Sequence, residues 1–464
     1  MTHVHFIGIG GSGLSAIARL LLESGYTVSG SDRAMTPFAD DIRKAGATVY
    51  IGHHARNLEG ADWVVRSSAV TEDNPEVKAA IKKDIPVYKR ADFLGELMSD
   101  KNGIAIAGTH GKTTTTAMAA WVLSELGRDP SFIVGSVINN LGVNARAGKG
   151  NAFVIEADEY DNMFLGLQPQ IEVITNLEHD HPDFFPTFNS MLESFRKFVS
   201  LLPADGTLIA CVEDSGAMEL VSHARQAGRN VVGYGVQNEA TVNSPSWVMA
   251  REVKPNKRGG FNFVATSNLG STGAESVEVS LQVPGQHNVR NALAVLAIIA
   301  VLGLPPEKAA KALAAFSGTG RRFQVRGEVN GITIIDDYAH HPTEITATLA
   351  GARSRYAERR IWAVWQPHTY SRTRTLFLEF ARAFKDADEV IVTEVYAARE
   401  PKEDFTSAEI VSTMPHLSAR YIATLPEVTS HLLKHLKSGD VVLVLSAGDA
   451  DQVSTDVVKQ LQER

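Results

Sequence analysis

"AIAGTHGKTTTTAMAAWVL", residues 105–123, reads as a short apolar strand, a glycine turn and a helix. A strand feeding Gly108-Thr109-His110-Gly111-Lys112-Thr113-Thr114 makes a tight turn. Its backbone N–H groups point inward at the positive end of the following helix, where an anionic oxygen is stabilised. In such a turn Lys112 reaches the terminal phosphates of a nucleotide and the Thr113 hydroxyl ligates Mg²⁺. The usual phosphate-loop pattern places a glycine five positions before Gly111, but Ile106 stands there. The loop is therefore shorter than the common one. A glycine turn that merely caps a helix is the alternative, and the strand before and helix after argue against it.

Mg²⁺ keeps near-octahedral oxygen coordination, so a Mg-ATP site needs more than one threonine. Two apolar runs downstream end in suitable donors. "VIEADEYD" carries Glu156, Asp158, Glu159 and Asp161, and "TNLEHDHPD" carries Glu178, His179, Asp180, His181 and Asp183. The carboxyl ends of strands line the ligand crevice of an open parallel sheet, so both clusters are expected to face the phosphate loop. Solvated loop acids are the bland reading of either cluster alone.

Outward from this centre, the chain is α/β throughout. The first 100 residues alternate "HVHFIGI", "LSAIARLLLESG", "YTVSGSD" and "PFADDIRKAG", the rhythm of βαβ units. Gly8-Ile9-Gly10-Gly11-Ser12-Gly13 follows the first strand and precedes a helix expected from Leu14. Asp32 lies nineteen residues beyond Gly13, where an acid bonds a ribose hydroxyl. Read alone, this is a dinucleotide site of a nicotinamide enzyme. The glycines, however, recognise only a pyrophosphate, and that reading leaves the phosphate loop and acid clusters unused. A protein that hydrolyses ATP as a switch is a second competing class.

Residues 245–282 read as antiparallel strands before a helix near Asn288, in "VPGQHNVRNALAVLAIIAVLG". The last segment offers "DDYAHHPTEI" and "QPHTYSRTR" just past apolar strands. There Arg372 and Arg374, with His340, His341 and His368, could bind a carboxylate. The expected divisions are 1–101, 102–318 and 319–464.

With 464 residues, 44% hydrophobic and 21% charged, and a net charge of -8, the composition is that of an ordinary globular protein and does not call for a nucleic-acid partner. The single cysteine, Cys211, fits a reducing compartment. No apolar stretch is long and clean enough to span a bilayer, so the expected location is the cytoplasm, with the oligomeric state left open.

Taken together, these motifs resemble the Mur ligases, ATP-dependent amino-acid-adding enzymes of peptidoglycan synthesis. "HFIGIGGSGLSAIA", "SGSD", "SSAV", "AIAGTHGKTTTTAM", "EADE", "TNLEHDH", "PGQHNVRNA", "GTGRRF", "DDYAHHPTE" and "QPHTYSRTR" occur in family order across essentially the whole chain. The resemblance implies a Rossmann-like N-terminal domain for a UDP-sugar, a central P-loop-type ATPase domain, and a Rossmann-like C-terminal domain that closes over both. It implies UDP-N-acetylmuramate at Gly10, Gly11, Ser12, Gly13 and Asp32, with Ser67 and Ser68 nearby. ATP would lie on Gly108 to Thr114, with His287, Asn288 and Asn291 at base and ribose and Arg322 and Asp337 reaching it from the closing domain. Lys112 would contact the terminal phosphates, and Thr113, Glu156 and His181 would ligate Mg²⁺. Tyr338, His341, His368 and Arg372 would surround an incoming L-alanine, with the proton acceptor either His181 or a C-terminal histidine. Tyr160 departs from the serine many alanine-adding members carry and resembles members that add a whole tripeptide. "SSAV" and "QPHTYSRTR" favour alanine. Lys197 is the nearest candidate for the carbamylated lysine of some relatives, and "LSAGDADQ" departs from the glycine-rich form expected near the end.

Overall fold

A computed structural model of the chain describes residues 1–236, 245–269 and 275–463. The expected α/β alternation forms three sheets in succession. In the first, five parallel strands stand in the order Thr48–Ile51, Thr27–Asp32, His3–Ile7, Trp63–Arg66, Val87–Lys89. The order reverses between His3–Ile7 and Trp63–Arg66, which opens a crevice at Gly8–Gly13 and Ser67–Ser68. The helix after the glycine turn runs Ser12–Glu23, two residues earlier than its apolar periodicity indicates, because Gly11 takes the extended cap conformation.

The second sheet has ten strands. Its order is Glu275–Ser280, Phe261–Ser267, Ser246–Pro255, Asn230–Gly235, Thr207–Cys211, Ile171–Ile174, Asn102–Ala107, Ala152–Glu156, Ser131–Ile138, Val143–Arg146. The outer strands Phe261–Ser267, Glu275–Ser280 and Val143–Arg146 are antiparallel, so the hairpin expected after residue 245 extends the sheet rather than forming a separate unit. Asn102–Ala107 lies between Ile171–Ile174 and Ala152–Glu156. Both acid-bearing strand ends therefore flank the phosphate loop. Behind it, helix Lys112–Glu125 is buried along most of its length beside helix Gln286–Val301, which is polar at its start and apolar from Ala292 onward.

The third sheet runs Gln324–Val329, Ile332–Asp337, Val441–Leu445, Ile361–Trp365, Glu389–Val392, Ala419–Tyr421, parallel but for its first strand. No helix among the described residues is long and apolar enough to cross a membrane.

Two unlike seams join these parts. One apolar cluster runs from Phe6, Leu14, Ile17 and Leu21 in the first part into Ala105, Ile155 and Phe195 in the second. The third part keeps its own apolar clusters on the two faces of its sheet. What crosses from it to the second is a set of ion pairs and hydrogen bonds, among them Arg372 Nε to Asp180 Oδ1 (2.7 Å) and Ser136 Oγ to the Gly320 carbonyl (2.8 Å).

Candidate active site

The loop is shaped by two glycines at which any other side chain would be strained. Gly108 has φ 129°, and a Cβ there would lie 2.2 Å from Thr175 Oγ1. Gly111 caps the helix in the left-handed region (φ 81°), with Asn291 Oδ1 2.8 Å from where its Cβ would be. Lys112 Nζ donates to the Gly108 and Thr109 carbonyls (2.6 and 3.1 Å) and to Glu159 Oε1 (2.9 Å). Burial works against its charge, but Glu159 and Asp158 outweigh it and raise the pKa, so the ammonium stays charged. Thr113 Oγ1 donates to Glu156 Oε1 (2.8 Å), whose other oxygen accepts the Gly135 N–H (2.6 Å). His181, held at φ 53°, brings Nε2 to 3.6 Å from Glu159 Oε1.

Buried polar atoms without a partner carry a cost, and two converge here, Glu159 Oε2 and His181 Nδ1. Hydroxyl and carboxylate oxygens with an imidazole nitrogen at a phosphate loop fit a hard divalent cation. Lys197 is exposed in the last turn of helix Phe188–Val199.

Beside the loop a cavity of about 750 Å³ opens between the second and third parts. His110, Gly111, Thr113, Thr114, His287, Asn288, Asn291, Arg322 and Asp337 line it. Burial, reinforced by Arg290, lowers the His287 pKa to about 4, so it presents a neutral ring. Asn288 Nδ2 donates to the Pro284 carbonyl (2.6 Å) and Asn291 Nδ2 to Asn288 Oδ1 (3.0 Å), which fixes both amides at the helix start. Burial raises Asp337 to about 6 against the pull of Arg322, and its oxygens accept the Phe323 and Ala339 N–H groups (2.7 and 2.8 Å). The Tyr338 ring lies between the Arg321 and Arg322 guanidiniums, 5.2 and 5.1 Å from its centre.

A third group gathers at the polar seam. Arg372 and Asp180 pair with their side chains only 3% and 4% exposed, and His368 Nδ1 lies 3.1 Å from Arg372. Thr369, at φ 65°, makes the sharp turn between them, an uncommon conformation for a β-branched residue. Burial lowers His368 to about 4 and His340, whose ring centre is 6.0 Å away, to about 3, so both are neutral.

Two expected members are elsewhere. Arg374 is half exposed and pairs with Glu403 (2.9 Å), because it sits on the outer side of the short helix Tyr370–Thr375. His341 caps helix Pro342–Arg355, accepting from the Thr343 N–H (3.4 Å), and that role turns its ring onto His110, 4.7 Å between centres. Tyr160 donates to Asp183 (3.1 Å) under the guanidinium of Arg399, 4.4 Å from its ring centre. Glu344 and Arg399 also reach this region. Sequence reasoning assigned them no role, although Glu344 stands inside the quoted "DDYAHHPTEI".

At the N-terminal crevice, Asp32 accepts the N–H of Gly10 (2.8 Å) and of Arg33 (2.7 Å), so the acid braces the turn. The Gly13 Cα faces the Arg90 guanidinium, which would lie 2.5 Å from a Cβ at that position, and Ser67 packs 3.2 Å from the corresponding point on Gly8. Ser68 is exposed at the crevice, and the Ser12 side chain lies outside the described residues.

A phosphate loop with donors suited to a hard cation, facing a cavity shared with a domain held on by polar contacts, is the site of a nucleotide-using enzyme. The chain matches the Mur ligase family along nearly its whole length: the catalytic domain over residues 3–102, the middle domain over 106–299 and the glutamate ligase domain over 321–448. It belongs to that family of ATP-dependent, carbon–nitrogen bond-forming ligases. UDP-N-acetylmuramate--L-alanine ligases of Geotalea daltonii and Geobacter sulfurreducens are each 42% identical to it, over 99% of this chain and 98% of theirs. The solved UDP-N-acetylmuramate-alanine ligase of Thermotoga maritima superposes over both whole chains with TM-score 0.81 at 30% identity. A murein peptide ligase of Psychrobacter arcticus covers 100% of this chain and 99% of its own, at TM-score 0.73 and 26% identity.

Proposed function

We propose that this enzyme joins L-alanine to the lactyl carboxylate of UDP-N-acetylmuramate at the cost of ATP, releasing ADP and phosphate in peptidoglycan precursor synthesis. The observation that carries this reading is the convergence of Lys112, Glu156 and His181 at the phosphate loop with the buried Arg372 of the closing domain. The curated relatives at 42% identity carry the alanine-adding name.

In this scheme residues 1–101 hold the UDP-sugar at Gly10 to Gly13, Asp32, Ser67 and Ser68. Residues 102–318 bind ATP, and residues 319–464 close over it with Arg322 and Asp337. Mg²⁺, which Thr113, Glu156 and His181 would hold, offsets charge between two mutually repelling anions. The muramate carboxylate attacks the γ-phosphorus, and Lys112 leaves the Gly108 and Thr109 carbonyls to neutralise the transferring phosphoryl group. The amine of alanine then attacks the acyl carbon and expels phosphate, its carboxylate held on the Arg372 side and its proton passing to an imidazole of that pocket. His341 serves the seam beside His110 in this scheme, and Tyr338 and His368 flank the amino acid. The closed seam keeps water from the acyl phosphate.

Phosphate release from Mg-ATP and UDP-N-acetylmuramate tests the reading, with no addition, L-alanine, or L-Ala-γ-D-Glu-meso-diaminopimelate. Alanine-dependent release with the matching mass gain in the nucleotide sugar supports it. Release with the tripeptide alone transfers the assignment to peptide recycling, the activity that Tyr160 resembles.

A further inference from the structure

Alanine ligation as proposed gives the side chain of His110 no task, although it projects from the middle of the phosphate loop. Its backbone is fixed: its N–H donates to Asn176 Oδ1 (2.9 Å) and its carbonyl accepts from Thr175 Oγ1 (2.6 Å). Its ring leaves the loop and enters the polar seam. There Nε2 bonds the Glu178 carboxylate of the central domain, and Nδ1 lies 3.2 Å from Glu344 Oε1 of the closing domain.

Both ring nitrogens thus face carboxylates, which only the doubly protonated imidazolium satisfies. Burial opposes that charge, but the bonds to Glu178 and Glu344 more than offset it and raise the pKa to about 9. The same two acids take further contacts here, and the His341 ring also packs on His110 across the seam. Thr343 Oγ1 donates to Glu178 Oε2 (3.1 Å), and Arg322 lies 3.6 Å from Glu344 within its own domain. His110, Glu178 and His341 also offer the donor set of a metal centre. In His110, however, Nε2 already bonds Glu178, and Nδ1, buried without a hydrogen-bond partner, faces Glu344 across the seam; His341 Nδ1 is 3.7 Å from Glu178.

We infer that His110 is a positioning residue that couples the state of the phosphate loop to closure of the C-terminal domain, by bridging Glu178 and Glu344 as a cation. Because its backbone is pinned, the ring is a fixed post on the loop, against which Glu344 and its helix Pro342–Arg355 are held. The same helix borders the nucleotide cavity. The bridge thereby holds the closing domain over the nucleotide loop.

The test uses the full chain with His110→Asn, Glu344→Gln and the double variant. The kinetic part rests on the proposed alanine ligation. Wild type must first turn over with alanine, and if it does not, that assignment fails whatever His110 does. Each single variant is expected to lose about tenfold in kcat, the worth of one charge-assisted bond, while KM for the UDP-sugar stays within about twofold. The double variant is expected to be no worse than His110→Asn alone, because the two residues act through one bridge. Solution scattering with ATP analogue bound, which needs no turnover, is expected to show both singles more extended than wild type. Multiplying kinetic effects, or a scattering profile of either variant that superposes on wild type, overturns the proposal. Saturable zinc binding that His341→Ala abolishes overturns it too, because the trio would then hold a metal. Glu344→Gln lies outside the loop, so the test stands even if His110→Asn fails to fold.

Discussion

The glycine turns Gly8–Gly13 and Gly108–Thr114 both feed helix N-termini, and they are used differently. Both offer backbone N–H groups to an anion. Around the first, the side chains close on the turn itself: Asp32 accepts the Gly10 N–H and Arg90 lies against Gly13. Around the second, Glu156, Glu159 and His181 converge from beyond neighbouring strand ends on Lys112 and Thr113 of the turn itself. The backbone device alone gives binding. Movable charge brought from adjacent strands is what makes the second turn a place for chemistry.

That contrast breaks hardest at Lys112. Lys112→Ala is expected to lower alanine-dependent phosphate release by about 10³-fold or more, with binding of the UDP-sugar, read by calorimetry, unchanged. Next is Glu156→Gln, with a loss of about 10²-fold and a raised Mg²⁺ requirement in a metal titration. The mirror experiment is Gly10→Val at the first turn. A Cβ there lies 2.6 Å from Thr36 Oγ1 and 2.8 Å from Asp32 Oδ2. Overpacking of about 1–3 kcal/mol predicts a KM for the UDP-sugar raised about tenfold, with kcat at saturation retained. A fall in kcat with KM unchanged would make the two turns alike.

The smallest effect on turnover is expected at Glu172, in the sheet between them. It is fully buried, neither carboxyl oxygen has a protein partner, and burial pushes its pKa well above the usual carboxylate range. The raised folded-state pKa means that the native protein holds a proton the unfolded chain releases. The stabilisation is complete below the unfolded value of 4.5 and is lost as pH rises toward the folded one. Glu172→Leu is therefore expected to melt higher than wild type by a margin that grows above pH 5, by about 1.4 kcal/mol per pH unit, with kcat unaltered. Parallel melting curves at pH 6 and 8 would show that the carboxyl is already ionised in the fold.

Much of this was legible in the sequence because it is local. The loop at 108–114, the acids after two apolar runs and the alternation of strand and helix need only short-range chemistry. Glu344 and Arg399 were not legible as site residues. Their partners lie in a different domain, and nothing in "HHPTE" or "AARE" specifies which way a closing domain brings them. His341 and Arg374 show the same limit in reverse. Their residue types suit a carboxylate, but a helix cap and an outward helix face decide where they point. The hairpin after residue 245 was legible as antiparallel strands, whereas its addition to the central sheet depends on edge pairing that period and composition do not encode.

The two seams differ in what water does to them. Parting Phe6, Leu14 and Leu21 from Ala105 and Phe195 exposes apolar surface, whereas parting Arg372 from Asp180 hands two ions to solvent. On heating, the molecule should therefore come apart as two pieces and not three, the third part separating before the core shared by the first two melts. The amides of His3–Ile7 and Asn102–Ala107 should exchange with deuterium as one cooperative block. On the proposed scheme, the UDP-sugar and ATP would then share one apolar-jointed body, with the amino acid met by the part held through polar contacts.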